Sequence, residues 1–143
     1  MKDSIKISLV IPKGGALTIE GYQKVVDNTL ECLELNIVVT VTIAEIMRGR
    51  GYFVEKKIML PAWLSEHDVV YQVYYAVHEL VHCLLGYRHD ETFKKIEDVL
   101  LDLWGIEIER KKVYPKKLFL KGKEIINTPY NRRSADFTEL KAA

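Results

Sequence analysis

The stretch HELVHCLLGYRHDETFKKIEDVLLDLWGI, residues 78–106, decides how this chain is read. On a helix, residues four apart share a face, so His78 and His82 can offer two imidazole nitrogens to one Zn²⁺, with Glu79 beside the ion. The neighbours Ala76, Val77, Leu80, Val81, Cys83, Leu84 and Leu85 are all uncharged. Two histidines and a glutamate on so apolar a helix are costly to bury unpaired, and one metal ion satisfies them together.

Working outward, the limits of this helix bear on the chemistry. Ser65 and Asp68 have capping-box spacing, and Leu64 and Val69 are placed for a hydrophobic staple, so the helix is expected to begin near Glu66, with Pro61 just outside. Gly86 is expected to end it in the left-handed conformation. Were the helix continuous, His89 would lie about 10 Å beyond His82 along the axis, too far to share a metal. A turn at Gly86 lets His89 fold back as third ligand. Asp90 then caps a second helix over 91–104, which Gly105 closes.

On that second helix Phe93, Ile96, Val99, Leu100, Leu103 and Trp104 make an apolar stripe. Glu97 falls at its edge, either as a rival to His89 for the metal or as a partner that orients a ligand. Asp98 and Asp102 point to solvent. His67 lies roughly 16 Å from His78 along the first helix and is excluded from the metal.

These residues resemble the active-site segment of SprT-like zincin metallopeptidases. There a His-Glu-x-x-His helix is followed by a third His and, four residues on, a Phe; here the matching positions are His78, Glu79, His82, His89 and Phe93. The resemblance implies a zincin-like α+β domain, Zn²⁺ held by His78, His82 and His89, Glu79 as catalytic residue, and a protein or peptide substrate. SprT-like proteins commonly carry a C-terminal zinc ribbon with Cys pairs, whereas Cys32 and Cys83 stand alone here. The Gly-Tyr-x-His ending also resembles YbeY-like rRNA-maturation proteins, but those have Gly in place of Glu79 and a third His one residue nearer. The balance favours a peptidase over a ribonuclease.

The expected scaffold is a small mixed sheet with an N-terminal helix packed on it, the metal-bearing helix crossing behind, and a C-terminal helix following. Alternation over residues 5–11 marks a first strand before Pro12 and the Gly14-Gly15 turn. A helix over 18–35 is capped by Thr18 and carries Tyr22, Val25, Val26, Leu30 and Leu33 on one stripe. Strands are expected at 37–43 and 51–60. Beyond Gly105 come an extended segment at 106–113 and a hairpin over 117–126 turning at Lys121-Gly122-Lys123. Residues 1–126 form one domain, and 127–143 a loosely ordered tail.

Three protein ligands leave the fourth zinc position to water, whose pKa falls to about 7 in such sites, and Glu79 is placed to take its proton and pass it to a leaving amine. Tyr74, Tyr87 or Arg88 could add an oxyanion donor. The strand at 51–60 could hold an extended substrate through its backbone. Two further readings stand beside this one: a YbeY-like zinc endoribonuclease, and a zinc-stabilised binding domain without turnover.

Composition sets the compartment and the partners. The longest N-terminal apolar run, residues 7–11, is too short for a signal peptide, and no segment is long enough to span a membrane. With two isolated Cys the chain is expected in the cytoplasm. Its net charge of +1 hides a polar distribution. Residues 1–109 carry 11 basic against 17 acidic side chains, whereas 110–133 hold nine basic residues and only Glu124. Arg110, Lys111, Lys112, Lys116, Lys117, Lys121, Lys123, Arg132 and Arg133 are interleaved with Tyr114, Phe119 and Tyr130, a pattern suited to nucleic acid.

Overall fold

A computed structural model describes residues 15–86 and 88–127. The expected first strand at 5–11, Tyr87 and the tail past residue 127 lie outside them. The fold is α+β, with α1 (Ile19–Cys32), β1 (Thr40–Ala44), β2 (Arg50–Tyr52), β3 (Lys57–Pro61), α2 (Val69–Leu85), α3 (Glu91–Leu103), β4 (Ile106–Lys111), β5 (Tyr114–Leu120) and β6 (Lys123–Asn127). The described strands divide into two three-stranded sheets where the sequence suggested one. In the first, β3 is central, parallel to β1 and antiparallel to β2. The second is the antiparallel meander β4-β5-β6.

The helix α2 is the axis of the molecule, because every residue from Val69 to Cys83 is buried. Both sheets, α1 and α3 pack around it. Two polar groups anchor those elements. Gln72, fully buried, accepts from the Tyr22 hydroxyl at 2.9 Å and from the Leu17 amide at 3.0 Å, and donates to the Gly15 and His67 carbonyls at 2.7 Å each. Thr29, also fully buried, accepts from the Trp104 indole at 3.0 Å and so ties α1 to the end of α3. A buried polar side chain with its bonds made fixes one arrangement, since any other would strand it.

Several expected boundaries shift. Thr18 caps α1 as expected, accepting from the Gly21 amide, but the helix ends at Cys32 rather than Leu35, where Glu34 turns to φ +57. The strand expected at 37–43 occupies Thr40–Ala44. The strand expected at 51–60 is a hairpin of β2 and β3, turning through Phe53, Val54, Glu55 and Lys56. Those four residues contain no Gly, Pro, Asn or Asp to announce a turn. Lys56 takes φ +56, unusual for a residue with a Cβ, and its ammonium is held by the Cys83 carbonyl at 2.8 Å and over the Phe53 ring at 4.0 Å.

The start of the metal helix is corrected too. Ala62–Glu66 is a separate 3₁₀ turn in which the Ser65 hydroxyl donates to the Ala62 carbonyl at 3.3 Å. Asp68 is the cap itself, accepting from the Val70 amide at 2.8 Å. Two residues with capping chemistry three apart admit both readings; the structure uses the second one. The segment expected at 106–113 becomes β4 and the turn into β5, and the hairpin expected over 117–126 is β5-β6, with Lys121 and Gly122 both at positive φ.

The approach of β2 to α2 depends on glycine. A Cβ on Gly51 would fall onto the Glu79 carbonyl oxygen and lie 2.9 Å from the His82 Cβ; one on Gly49 would lie 2.7 Å from the Tyr75 ring. The backbone of Glu79 cannot retreat from within a buried helix. We expect Gly51→Ala to lower stability by about 3 kcal/mol, at the upper end of the usual overpacking cost. Urea unfolding of the metal-free protein measures this, and a midpoint equal to that of the wild type would contradict the close approach.

Candidate metal centre

Three histidines come together at one point. His78 and His82 are one turn apart on α2, and His89 returns after Gly86, so one donor nitrogen from each lies within 4.8 Å of the others. The return depends on Gly86, which carries φ +99 and ψ −160, a conformation of positive φ but more extended than the left-handed cap expected. Asp90 then starts α3 by accepting from the Phe93 amide at 2.9 Å. His89 Nε2 stands 3.1 Å from His82 Nε2. For a tetrahedral ion with Zn–N distances of about 2.0–2.1 Å, adjacent donors are about 3.3 Å apart.

The outer nitrogens settle which atoms face inward. His82 Nδ1 pairs with the Gly86 carbonyl at 2.8 Å, and His78 Nδ1 pairs with Glu97 Oε2 at 2.5 Å. Carbonyl and carboxylate both accept, so each Nδ1 carries the proton and each Nε2 keeps its lone pair for a ligand. Phe93, 1% exposed, backs all three imidazoles, its ring centroid 5.2, 4.7 and 4.8 Å from those of His78, His82 and His89.

Glu97 is thus placed behind His78, outside the three-histidine cluster. The carboxylate, 1% exposed, also accepts from Arg110 at 2.7 Å, and the same guanidinium nitrogen reaches Asp98 at 2.7 Å. Burial pushes the Glu97 pKa up, but the bonds from His78 and Arg110 outweigh it and hold the pKa below the ordinary carboxylate value. Asp98, expected to be purely solvated, is exposed yet joined to this chain. Arg110, expected on a basic surface, instead turns inward. The buried face of α3 is correspondingly rotated: Glu97 and Leu101 are inside, and Val99, expected in the stripe, is 52% exposed.

Burial pushes the His82 pKa down to about 4, with the nearby His78 and His89 acting in the same sense against the Gly86 carbonyl and Glu97. His89 is lowered as well, chiefly by burial. Neutral imidazoles are the metal-binding form. The Cys83 thiol, raised to about 11 mainly by burial, donates to the Lys57 carbonyl at 3.2 Å and is no thiolate ligand. Both cysteines are free.

A cleft of about 240 Å³ opens at the cluster, with Glu79, Tyr74 and Tyr114 among its lining residues and residues 48–51 forming one wall. Glu79 is 6% exposed and lies beside the two helical histidines. Tyr74 places its hydroxyl 3.4 Å from His78 Nδ1. Tyr114 enters from the first position of β5, its ring centroid 6.4 Å from that of His78 and 6.2 Å from that of His89. Sequence reasoning placed Tyr114 in a basic surface and missed it here, because only the β4-β5 register brings it to the cleft. Arg88 is exposed and does not line the cleft, and His67 packs against Trp63 and Tyr71 away from the cluster.

The basic segment is partly engaged. Lys116 lies 3.8 Å from Glu109 and Lys117 3.9 Å from Glu124, while Arg132 and Arg133 fall outside the described residues. Among the described residues no helix is long and apolar enough to cross a membrane. Set against family models, curated proteins and solved structures, the chain matches none of them.

Two measurements probe the centre. Glu97→Gln leaves the three histidines in place but removes the charge behind His78, and we expect zinc affinity to fall about 10- to 100-fold in competition with a chromophoric chelator. Unchanged affinity would remove Glu97 from the design of the site. In the metal-free protein the His82 pKa lies below its unfolded value of about 6.5, so the unfolded chain binds more protons between the two pKa values. Stability is therefore complete above pH about 6.5 and declines as the pH falls toward about 4. A melting temperature constant across that window contradicts the burial of neutral His82.

Proposed function

We propose that the chain is a zinc-dependent metallopeptidase of the SprT-like kind. The observation that carries this reading is the gathering of His78, His82 and His89 donors within 4.8 Å, with Glu79 beside them on the lining of an open cleft. The donor set suits zinc: three imidazoles, two of them oriented by acceptors on their outer nitrogens. A zinc ion held there supplies Lewis acidity, polarising a carbonyl and acidifying water.

The protein's own residues do the remaining work. Glu79 accepts the proton of the attacking water and delivers it to the amine as the peptide bond breaks. Tyr114 or Tyr74 donates a hydrogen bond to the carbonyl oxygen as it gains charge. The strand β2 ends its sheet among the described residues and borders the cleft, so an extended substrate can pair with its backbone.

A non-catalytic zinc domain would need a fourth protein ligand, and Glu97, the sequence-level candidate, is engaged with His78 Nδ1 and Arg110. Partial pairing of the basic segment makes phosphodiester contact the weaker alternative, and nucleic-acid-associated proteins stay among the proposed substrates. The test compares wild type with Glu79→Gln on denatured protein and on RNA. We expect the variant to hold one zinc per chain and to lose protein cleavage by about 10²- to 10⁴-fold, the usual contribution of a general base. RNA cleavage without protein cleavage would replace the peptidase with the ribonuclease; full activity of the variant would refute the role of Glu79.

A further inference from the structure

The wall of the cleft formed by Arg48, Gly49, Arg50 and Gly51 has a composition that zinc chemistry does not require. The two glycines are explained by contact: a Cβ at either position would collide with α2 or Tyr75. The other two positions are both arginine, and both are exposed. Apart from Glu79 and the titratable histidines, which the site holds neutral, the residues lining the cleft carry no charge but that of these two arginines. No ion pair engages either of them among the described residues, although Arg110 in the same protein is held by two carboxylates.

We propose that Arg48 and Arg50 select substrates bearing acidic side chains beside the scissile bond. The inference rests on the peptidase reading and names its substrate class. Gly49 is fixed by its amide, which donates to the Tyr75 hydroxyl at 2.9 Å, and Arg50 pairs with Met59 in the register of β2 and β3. The wall is therefore built, and the arginines are carried on a positioned backbone. A peptide extended along β2 pairs with the strand that Arg50 begins, and Arg48 stands in the bend just before it. Guanidinium groups meet carboxylates in paired hydrogen bonds and are always charged, so each acidic side chain gains at this wall and a lysine is repelled.

Phosphate would suit guanidinium groups equally well. The cleft favours a peptide over a nucleic acid because, of the rings lining it, only Tyr114 is part-exposed for a base to stack on, and Tyr71, Tyr74 and Tyr75 are at most 3% exposed. An extended edge of backbone is instead a partner for another extended backbone.

Three quenched peptides, identical but for Glu, Gln or Lys at the residues flanking the cleaved bond, test this with the zinc-loaded protein. We expect kcat/KM about tenfold higher for the Glu peptide than for the Gln peptide, and lower still for the Lys peptide. The preference should fade at high salt and vanish in the Arg48→Gln/Arg50→Gln double variant with zinc content unchanged. Arg50→Glu should turn it toward lysine. A second readout is independent of turnover: fluorescence anisotropy of labelled, uncleaved forms of the same peptides with the zinc-loaded Glu79→Gln protein, with an RNA oligonucleotide as competitor. Equal rates and equal binding for the three peptides overturn the proposal, as does a preference that survives the double variant. RNA that displaces the Glu peptide at lower concentration than unlabelled peptide also overturns it, by assigning the arginines to phosphate. If wild type cleaves no peptide yet the Glu peptide still binds best through Arg48 and Arg50, the peptidase reading fails and the acidic selectivity stands.

Discussion

The Glu97 carboxylate, buried between a histidine and an arginine, is the interaction on which the arrangement of the site depends. A lone carboxylate at this depth would cost several kcal/mol. It stays charged because His78 Nδ1 and Arg110 both bond to it, and Arg110 is in turn held by Asp98. The two partners of Glu97 come from α2 and β4, and Glu97 itself from α3, so none of these elements can shift without exposing an unpaired charge. Removing one partner of such a group typically costs 3–5 kcal/mol, more than a single apolar contact. The orientation of His78, and with it the geometry of the cluster, thus follows from the docking of the hairpin onto α3.

The second constraint is that α2 is buried on all sides while carrying the chemistry. A helix surrounded by protein can expose its histidines only where a neighbour stands back, and the neighbours here are shaped for that. Phe93 packs behind the imidazoles, and the glycine wall of β2 lies against the turn between Glu79 and His82. Access to the cleft and helix packing are therefore set by the same residues: the glycines that allow β2 to approach also leave the backbone bare beside the cleft.

What the sequence made legible was local. The i, i+4 histidines, the stop at Gly86, the return of His89 and the cap at Asp90 are each decided within about four residues, and each is found in the structure. The β2-β3 hairpin was hidden because Phe53, Val54, Glu55 and Lys56 read as strand; its turn is stabilised from afar, by Lys56 on the Cys83 carbonyl. The role of Arg110 was hidden for the same reason. A run of basic residues looks alike whether its members face solvent or a buried acid, and only the pairing of β4 with β5 against α3 turns Arg110 inward. Tyr114 reaches the cleft through that same pairing.

The distribution of charge then takes a different meaning from the one the sequence suggested. The basic segment 110–133 looked like an outward face, yet its first residue balances a buried carboxylate and two of its lysines stand near acids on neighbouring strands. The cations at the cleft come from another part of the chain, Arg48 and Arg50, where no basic run drew attention. Two isolated arginines at a narrow cleft can discriminate more sharply than many lysines on an open face, because their field acts on groups already held in place and partly shielded from solvent. Position relative to the histidine cluster, rather than the number of basic residues, decides which charges border the cleft.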